Sequence, residues 1–492
     1  MYALVWVLLA VLLAAVWNSY RRSAVDTFQL GAIPVVGHSA PLLSMITALQ
    51  FVRNSQRLID EGYRKYRRGL YRIRLLAHWI VVATDAQAIE DIRRAPPDVL
   101  SFGAAQDVFL QTIHTAGVEV VHDRSHVTWI RSELTRCNAA RFEAMREEMA
   151  VALDEQIPLS TEWKAYPVEE VVAHVVCQMS NRLFVGEPLC RNPEYLTLAM
   201  SFANEFIRDV IIVKSCPEWL KPAVSRLLGN ARKCAKRVAT HFRPVIEQRD
   251  AAKRASEKAS ASIPDDALQW CLDNATGDAR QPENLALRML WINFGALHSP
   301  TVTLVFALYH LASSPQYVQI LREEVDGVFA HEGWSKAALG KMRKLDSFLK
   351  EVLRLNPPGI WAQQRLALQP FTFSNGQTVP AGTMLACPVL SLHRNEDNYR
   401  EASEFQPWRH CEDNEAHKNL FVTTKPDFMP FGHGADACPG RFFAAIQLKA
   451  LLAHIVLAYD VRFEEGRGTP ERRFVAGVLL PGKADLEFRQ RA

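Results

Sequence analysis

Residues Pro430–Ala444 read PFGHGADACPGRFFA, and the reading of the whole chain turns on this stretch. A cysteine that ligates a metal must be ionised near neutral pH, and the N–H groups at a helix start favour that state. Cys438 is followed by Pro439, and proline suits the first helical position because no N–H is needed there. The sequence stays mostly apolar to Tyr459, so a helix is predicted from about Pro439 to Tyr459 with Cys438 at its positive end. Gly432, Gly434 and Gly440 allow tight turns and a close approach to a flat ligand, and Phe431 supplies an aromatic wall. The plain alternative is a structural thiol in a glycine-rich turn, the usual fate of a lone cysteine.

Further upstream, Gln281–Ser314 is one nearly all-apolar stretch, which predicts a long helix in the interior. Glu351 and Arg354 stand three apart in KEVLRLNPP. Six other Glu-x-x-Arg pairs occur, including Glu61/Arg64, Glu90/Arg93 and Glu143/Arg146, so the spacing alone carries no information. This copy differs in being closed by Pro357-Pro358 and followed, before the cysteine, by Phe405-x-Pro407-x-Arg409.

Phe431, Gly434, Cys438 and Gly440 meet the pattern F-x-x-G-x-x-x-C-x-G, which resembles the heme-binding signature of the cytochrome P-450 family. The resemblance spans nearly the whole chain. It implies a mostly α fold with small β-sheets, preceded by one N-terminal transmembrane helix. It implies heme b (iron protoporphyrin IX), with Cys438 as the axial iron ligand. Electrons would come from a separate NADPH-cytochrome P-450 reductase, so NADPH is used only indirectly; no flavin or nicotinamide motif is present. Glu351, Arg354 and Arg409 would form a buried triad that locks the cysteine loop. Arg365 lies where the family often binds a propionate, and His126, Trp129 and Arg131 in SHVTWIRSELTR resemble its early heme-facing helix.

The same resemblance makes Gly295-Ala296-Leu297-His298-Ser299-Pro300 the oxygen side, with His298 and Ser299 where the family carries an acid and a threonine. Ser299 keeps a hydroxyl suited to a proton relay. His298 titrates near neutrality and could join that relay, or it turns toward solvent or another helix. Pro300 is expected to kink the helix and free the Ala296 carbonyl. Asp436 departs from the family, which carries Arg or His two residues before the cysteine. A carboxylate facing a propionate is repelled by up to about 4 kcal/mol at close range and intermediate dielectric. Asp436 is therefore expected to turn away or be protonated, leaving the propionates to Arg365, His126, Trp129 and Arg131.

By position, the substrate pocket is expected from Phe102, Phe109, Phe206, Ala296, Trp361 and Leu479. Such a pocket suits an apolar, membrane-partitioned small molecule. The text is similar to fungal terpenoid oxidases related to ent-kaurene oxidase, which implies a terpenoid of secondary metabolism. Two alternatives stay open: a heme-thiolate isomerase or dehydratase acting on a peroxide without a reductase, and a non-catalytic heme binder. The Ser299 hydroxyl argues against the first, and Asp436 is the hint for the second.

Met1–Trp17 is uncharged and is followed by Arg21 and Arg22. That arrangement predicts a retained transmembrane anchor over residues 1–20, because no positive charge precedes the apolar run as in a cleaved signal. Charges after the run place the body on the cytosolic side of a single-pass protein, in the endoplasmic reticulum membrane by the resemblance. Residues 21–40 form a basic hinge with Gly31, Pro34 and Gly37, and residues 41–492 a single catalytic domain. A net charge of +4, with no basic run interleaved with aromatics, excludes a nucleic-acid groove. Nine cysteines without a C-x-x-C pair read as reduced thiols. Tyr71–Ala83 is predicted as a strand, Gln363–Pro388 as a second β region, and Lys253–Asp266 as an exposed loop.

Overall fold

The apolar stretch that opens at Pro282 folds into a helix of 32 residues, Pro282–Ser313. It starts at a proline, where no N–H is missed, and stops before Pro315, which opens the next helix. The computed structural model describes residues 30–491 apart from residues 77 and 215 and the segments 118–124, 257–263 and 412–418. The anchor expected over residues 1–20, and residues 21–29 of the hinge, lie outside the described residues.

Both ends of the central helix are buried, from Leu285 to Asn293 and again from Pro300 to Tyr309. Between them Gly295 and Ser299 are exposed, so the middle of the helix is open on one side. Pro300 falls inside the helix without ending it, and Thr303 Oγ1 donates to the Ser299 carbonyl at 2.9 Å. The helices Val168–Phe184, Pro193–Lys214, Asn230–Ser256, Arg343–Leu355 and Arg441–Ala458 pack around it. Among the described residues two helices, Pro282–Ser313 and Arg441–Ala458, are long and apolar enough to cross a membrane, but both are mostly buried in this core.

A six-stranded sheet flanks the helices, in the order Val35–Val36, Leu70–Arg74, Trp79–Ala83, Met384–Pro388, Trp361–Ala367, Leu100–Ser101. The expected strand over Tyr71–Ala83 is in fact a hairpin, with Tyr71 opposite Val82 and Ile73 opposite Ile80. Every residue of both strands is buried. The second β region supplies the neighbouring strands, with a bulge between Ala362 and Arg365 where Gln363 takes φ 50°. Lys253–Asp266 is not one exposed loop. Its first residues end the Asn230–Ser256 helix, and Asp266 is buried, pairing with Arg249 at 2.6 Å while capping the Ala267–Asn274 helix.

Gly62 in the Ser55–Lys65 helix lies flat against the sheet. An added Cβ would sit 2.5 Å from Tyr71 Cε2 and 2.9 Å from Val36 Cγ2. Gly62→Ala should destabilise by about 1–3 kcal/mol through overpacking, although alanine improves helix propensity by about 1 kcal/mol. Denaturant titration checks the sign, and a stabilised variant would contradict this packing.

Candidate active site

In the Arg343–Leu355 helix every residue from Leu345 to Leu355 is buried, charged ones included. Glu351 and Arg354 are one turn apart and fully buried, joined by two parallel bonds of 2.7 Å. Arg354 Nη1 also donates to the carbonyls of His393 at 2.5 Å and Ala402 at 2.6 Å, and Nη2 to that of Glu404 at 3.1 Å. All five guanidinium donors are thus used. Arg409 Nε reaches Glu351 Oε1 at 3.2 Å, closing the Glu351–Arg354–Arg409 arrangement. His410 Nε2, at 3.2 Å from Glu351 Oε2, is a further member that sequence reading missed. Burial alone would raise the Glu351 carboxyl, but hydrogen bonds from Arg354 and His410 hold it well below the usual range. By contrast, Arg93 and Glu90, an identical pair by spacing, remain partly exposed.

One residue connects this cluster to the cysteine loop. His393 Nδ1 bonds the Arg354 carbonyl at 2.8 Å, and His393 Nε2 accepts from Met429 N at 3.3 Å. The imidazole stacks on Phe428 with centroids 5.2 Å apart. Two residues on, the Phe431 carbonyl accepts from Cys438 N at 2.7 Å, so Met429 and Cys438 bracket one closed loop. Gly432 (φ 71°) and Gly434 (φ 77°) make its turns. A Cβ on Gly434 would lie 2.7 Å from Arg93 Cγ, so the Glu90–Arg93 pair that looked uninformative props the loop from below.

The helix after the loop starts at Arg441 with Gly440 as its cap, two residues later than predicted. Cys438 therefore precedes the helix, and Pro439 is not its first residue. Its thiol still faces the positive end: burial pushes it up, while the N–H groups of Gly440 and Arg441 and the Arg441 charge pull it down. A cation on the sulfur would tip that balance to the thiolate.

The loop rim suits a flat dianionic ligand. Trp129 is buried and its Nε1 has no hydrogen-bond partner among the described residues, an orphan donor that a carboxylate would satisfy. Arg131, the second residue of the wider π segment Ile130–Leu134, donates to the Ala435 carbonyl at 2.8 Å. Arg365 comes from the sheet and pairs with Asp436 at 3.0 Å. His126 is buried on the same short helix as Trp129. These residues fit heme bound through Cys438 with its propionates toward Trp129, Arg131 and Arg365. Asp436 pairs with Arg365, one of the residues expected to hold a propionate, so its carboxylate stands at that edge of the loop.

On the central helix, Ser299 lies in the uncovered stretch. His298 Nε2 is buried with no partner among the described residues, and burial lowers its pKa, so the ring is neutral. The expected pocket residues separate into groups. Phe206 packs on Trp291 and Phe294 at 5.3 and 5.1 Å, next to Ala296 on the same helix. Phe102 lies under Arg365 at 5.7 Å, and Phe109 lies under Lys214 at 5.3 Å. Trp361 stacks on Phe51 at 5.7 Å, while Leu479 is fully buried in the core beside it.

The cytochrome P-450 family description matches residues 36–488. Cytochrome P-450 monooxygenase 151 of Postia placenta is 37% identical over 470 residues, covering 94% of each chain. A cytochrome P-450 monooxygenase of Ganoderma lucidum is 32% identical, covering 92% of this chain and 91% of its own. The ent-kaurene oxidase of Gibberella intermedia is more distant, 28% identical over 96% of this chain and 91% of its own.

The His393 bonds fix its neutral tautomer, with Nδ1–H donating and Nε2 accepting. Burial pushes its pKa down to about 3. An unfolded imidazole protonates near pH 6.5, so below about that pH the unfolded chain binds a proton that the folded chain refuses. Stability should fall with pH, by up to about 1.4 kcal/mol per unit, and level off once the folded ring protonates near 3. Thermal midpoints measured from pH 7 to 4 should fall less steeply for His393→Gln than for the unaltered protein. Parallel profiles would rule the tautomer assignment out.

Proposed function

The chain belongs to the cytochrome P-450 family, with a heme-thiolate cofactor and monooxygenase activity, and we propose that it oxidises an apolar small molecule at a membrane. The observation that carries this is the Cys438 thiol, half-buried just before a helix start and met by the N–H groups of Gly440 and Arg441. Heme held on that sulfur supplies oxygen activation, with electrons delivered by a separate NADPH-cytochrome P-450 reductase. Around it, Trp129, Arg131 and Arg365 orient the propionates, and Phe431 keeps water from the sulfur.

Across the site, the uncovered turn at Gly295–Ser299 gives a substrate room beside the central helix. Ser299 Oγ is the proton donor there. His298 does not pair with it directly, because adjacent helical positions do not face each other. The aromatic group Phe206, Trp291 and Phe294 favours a bulky apolar skeleton over a polar one. A fungal terpenoid of secondary metabolism is the substrate class this reading selects, supported by fungal relatives and by one named as an ent-kaurene oxidase. The uncharged N-terminal run, followed by Arg21 and Arg22, supports a single-pass anchor in the endoplasmic reticulum with the catalytic part in the cytosol.

Reduced protein under carbon monoxide should show the red-shifted Soret band of a thiolate ligand, and Cys438→Ser should lose it. A wild-type spectrum without that band overturns the heme-thiolate reading. With reductase and NADPH, a panel of terpene scaffolds should give oxygenated products where polar metabolites give none. Ser299→Ala should lower product per NADPH by roughly 10²-fold, the low end for a lost acid–base group, with the Soret band unchanged. Equal coupling in that variant would remove Ser299 from proton delivery.

A further inference from the structure

Asp436 puts a negative charge where the family presents a positive one, and the structure shows what that charge does. Its Oδ2 lies 3.0 Å from Arg365 Nη2. The Arg365 side chain is 5% exposed and that of Asp436 31%. The guanidinium rests over the Phe102 ring at 5.7 Å and donates Nη1 to the Gln364 carbonyl at 2.9 Å. One of its five N–H donors is hydrogen-bonded, to the Gln364 carbonyl, while Asp436 holds the guanidinium as an ion pair. The pair joins two separate parts of the fold. Arg365 belongs to the Trp361–Ala367 strand just past the bulge, and Asp436 ends the Gly434–Asp436 turn of the cysteine loop. Arg131 holds the same turn from the other side through the Ala435 carbonyl.

We propose that Asp436 is a positioning residue for the cofactor: it aims Arg365 at a heme propionate while cancelling much of its charge at the heme edge. This rests on the reading that heme binds at Cys438. On this proposal the lost anchor outweighs the relieved repulsion of the propionate, and two consequences follow. Without the carboxylate, Arg365 loses its anchor and grips the propionate less well, so ferric heme leaves faster. The edge also becomes more positive, which favours the reduced heme, so the reduction potential rises.

The test transfers heme from the ferric holoprotein to excess apomyoglobin and measures the potential by spectroelectrochemistry. Asp436→Ala should lose heme roughly threefold to fivefold faster, the scale of a lost, partly exposed ion pair, and its potential should shift upward. Asp436→Glu, which keeps the charge, should restore the wild-type rate and potential. In an Arg365→Ala background the effect on heme loss should invert, because an unpaired Asp436 only repels the propionate. A double-mutant cycle reads that inversion directly. Slower or unchanged heme loss in Asp436→Ala, with Arg365 intact, overturns the proposal. Should Asp436→Ala not load heme, Asp436→Asn replaces it with the same expected signs. A red-shifted Soret band under carbon monoxide in the starting protein separates either result from a failure of the heme-thiolate reading itself.

Discussion

The buried carboxylate of Glu351 is the point on which this fold closes. Between the short Val389–His393 helix and Cys438 the described chain has almost no regular structure, so its carbonyls cannot be satisfied by ladders or helices. Arg354 and Arg409 satisfy them instead, at His393, Ala402 and Glu404 from one and Arg400, Glu401 and Glu404 from the other. Two cations spent on carbonyls need a counter-charge in the same dry space, and Glu351 is that charge. Buried ion pairs add little net stability, but breaking one strands its partner at several kcal/mol. The cluster therefore works by making every other loop conformation costly.

From that hub the constraint passes through His393 to Met429, and from there through the Phe431 carbonyl to the Cys438 amide. A second tie runs behind it. Asp346, on the same helix as Glu351, pairs with Lys449 at 2.5 Å and accepts from Phe421 N at 2.7 Å. Lys449 belongs to the helix that begins at Arg441, so one helix fixes both the loop ahead of the cysteine and the helix behind it. The sulfur's place is set by this framework before any cofactor arrives.

Much of this was legible in the sequence, for identifiable reasons. The central helix was plain because burial on all sides leaves an unbroken apolar run, and the observed ends agree to within a residue. The cysteine loop was legible through its resemblance to the heme-binding signature, since glycines and a lone cysteine by themselves also fit a structural thiol. The Tyr71–Ala83 hairpin was not, since a strand pair buried on both faces gives no alternation to mark its turn. Nor could spacing separate Glu351–Arg354 from Glu90–Arg93: the two differ in burial, a property of packing. His410 and His393 escaped notice because each acts through contacts distant in sequence. The pocket residues were the hardest, since Phe102 meets an arginine, Phe109 a lysine and Leu479 the core.

The two arginine–carboxylate pairs that touch the cysteine loop show how one chemical motif serves two ends. Arg354 has no donor to spare, so it can only hold the protein to itself. Arg365 hydrogen-bonds one carbonyl and is ion-paired with one carboxylate, which leaves it less fully engaged than Arg354. A guanidinium left wholly unpaired in that position would be mobile and poorly solvated, and one fully paired would be useless to a ligand. Asp436 sets an intermediate state, in which the cation is already oriented and already partly neutralised. Such an arrangement lowers the ordering cost of binding while weakening the pull of the bare charge. The Asp436 substitution thus trades electrostatic attraction at the cofactor edge for preorganisation.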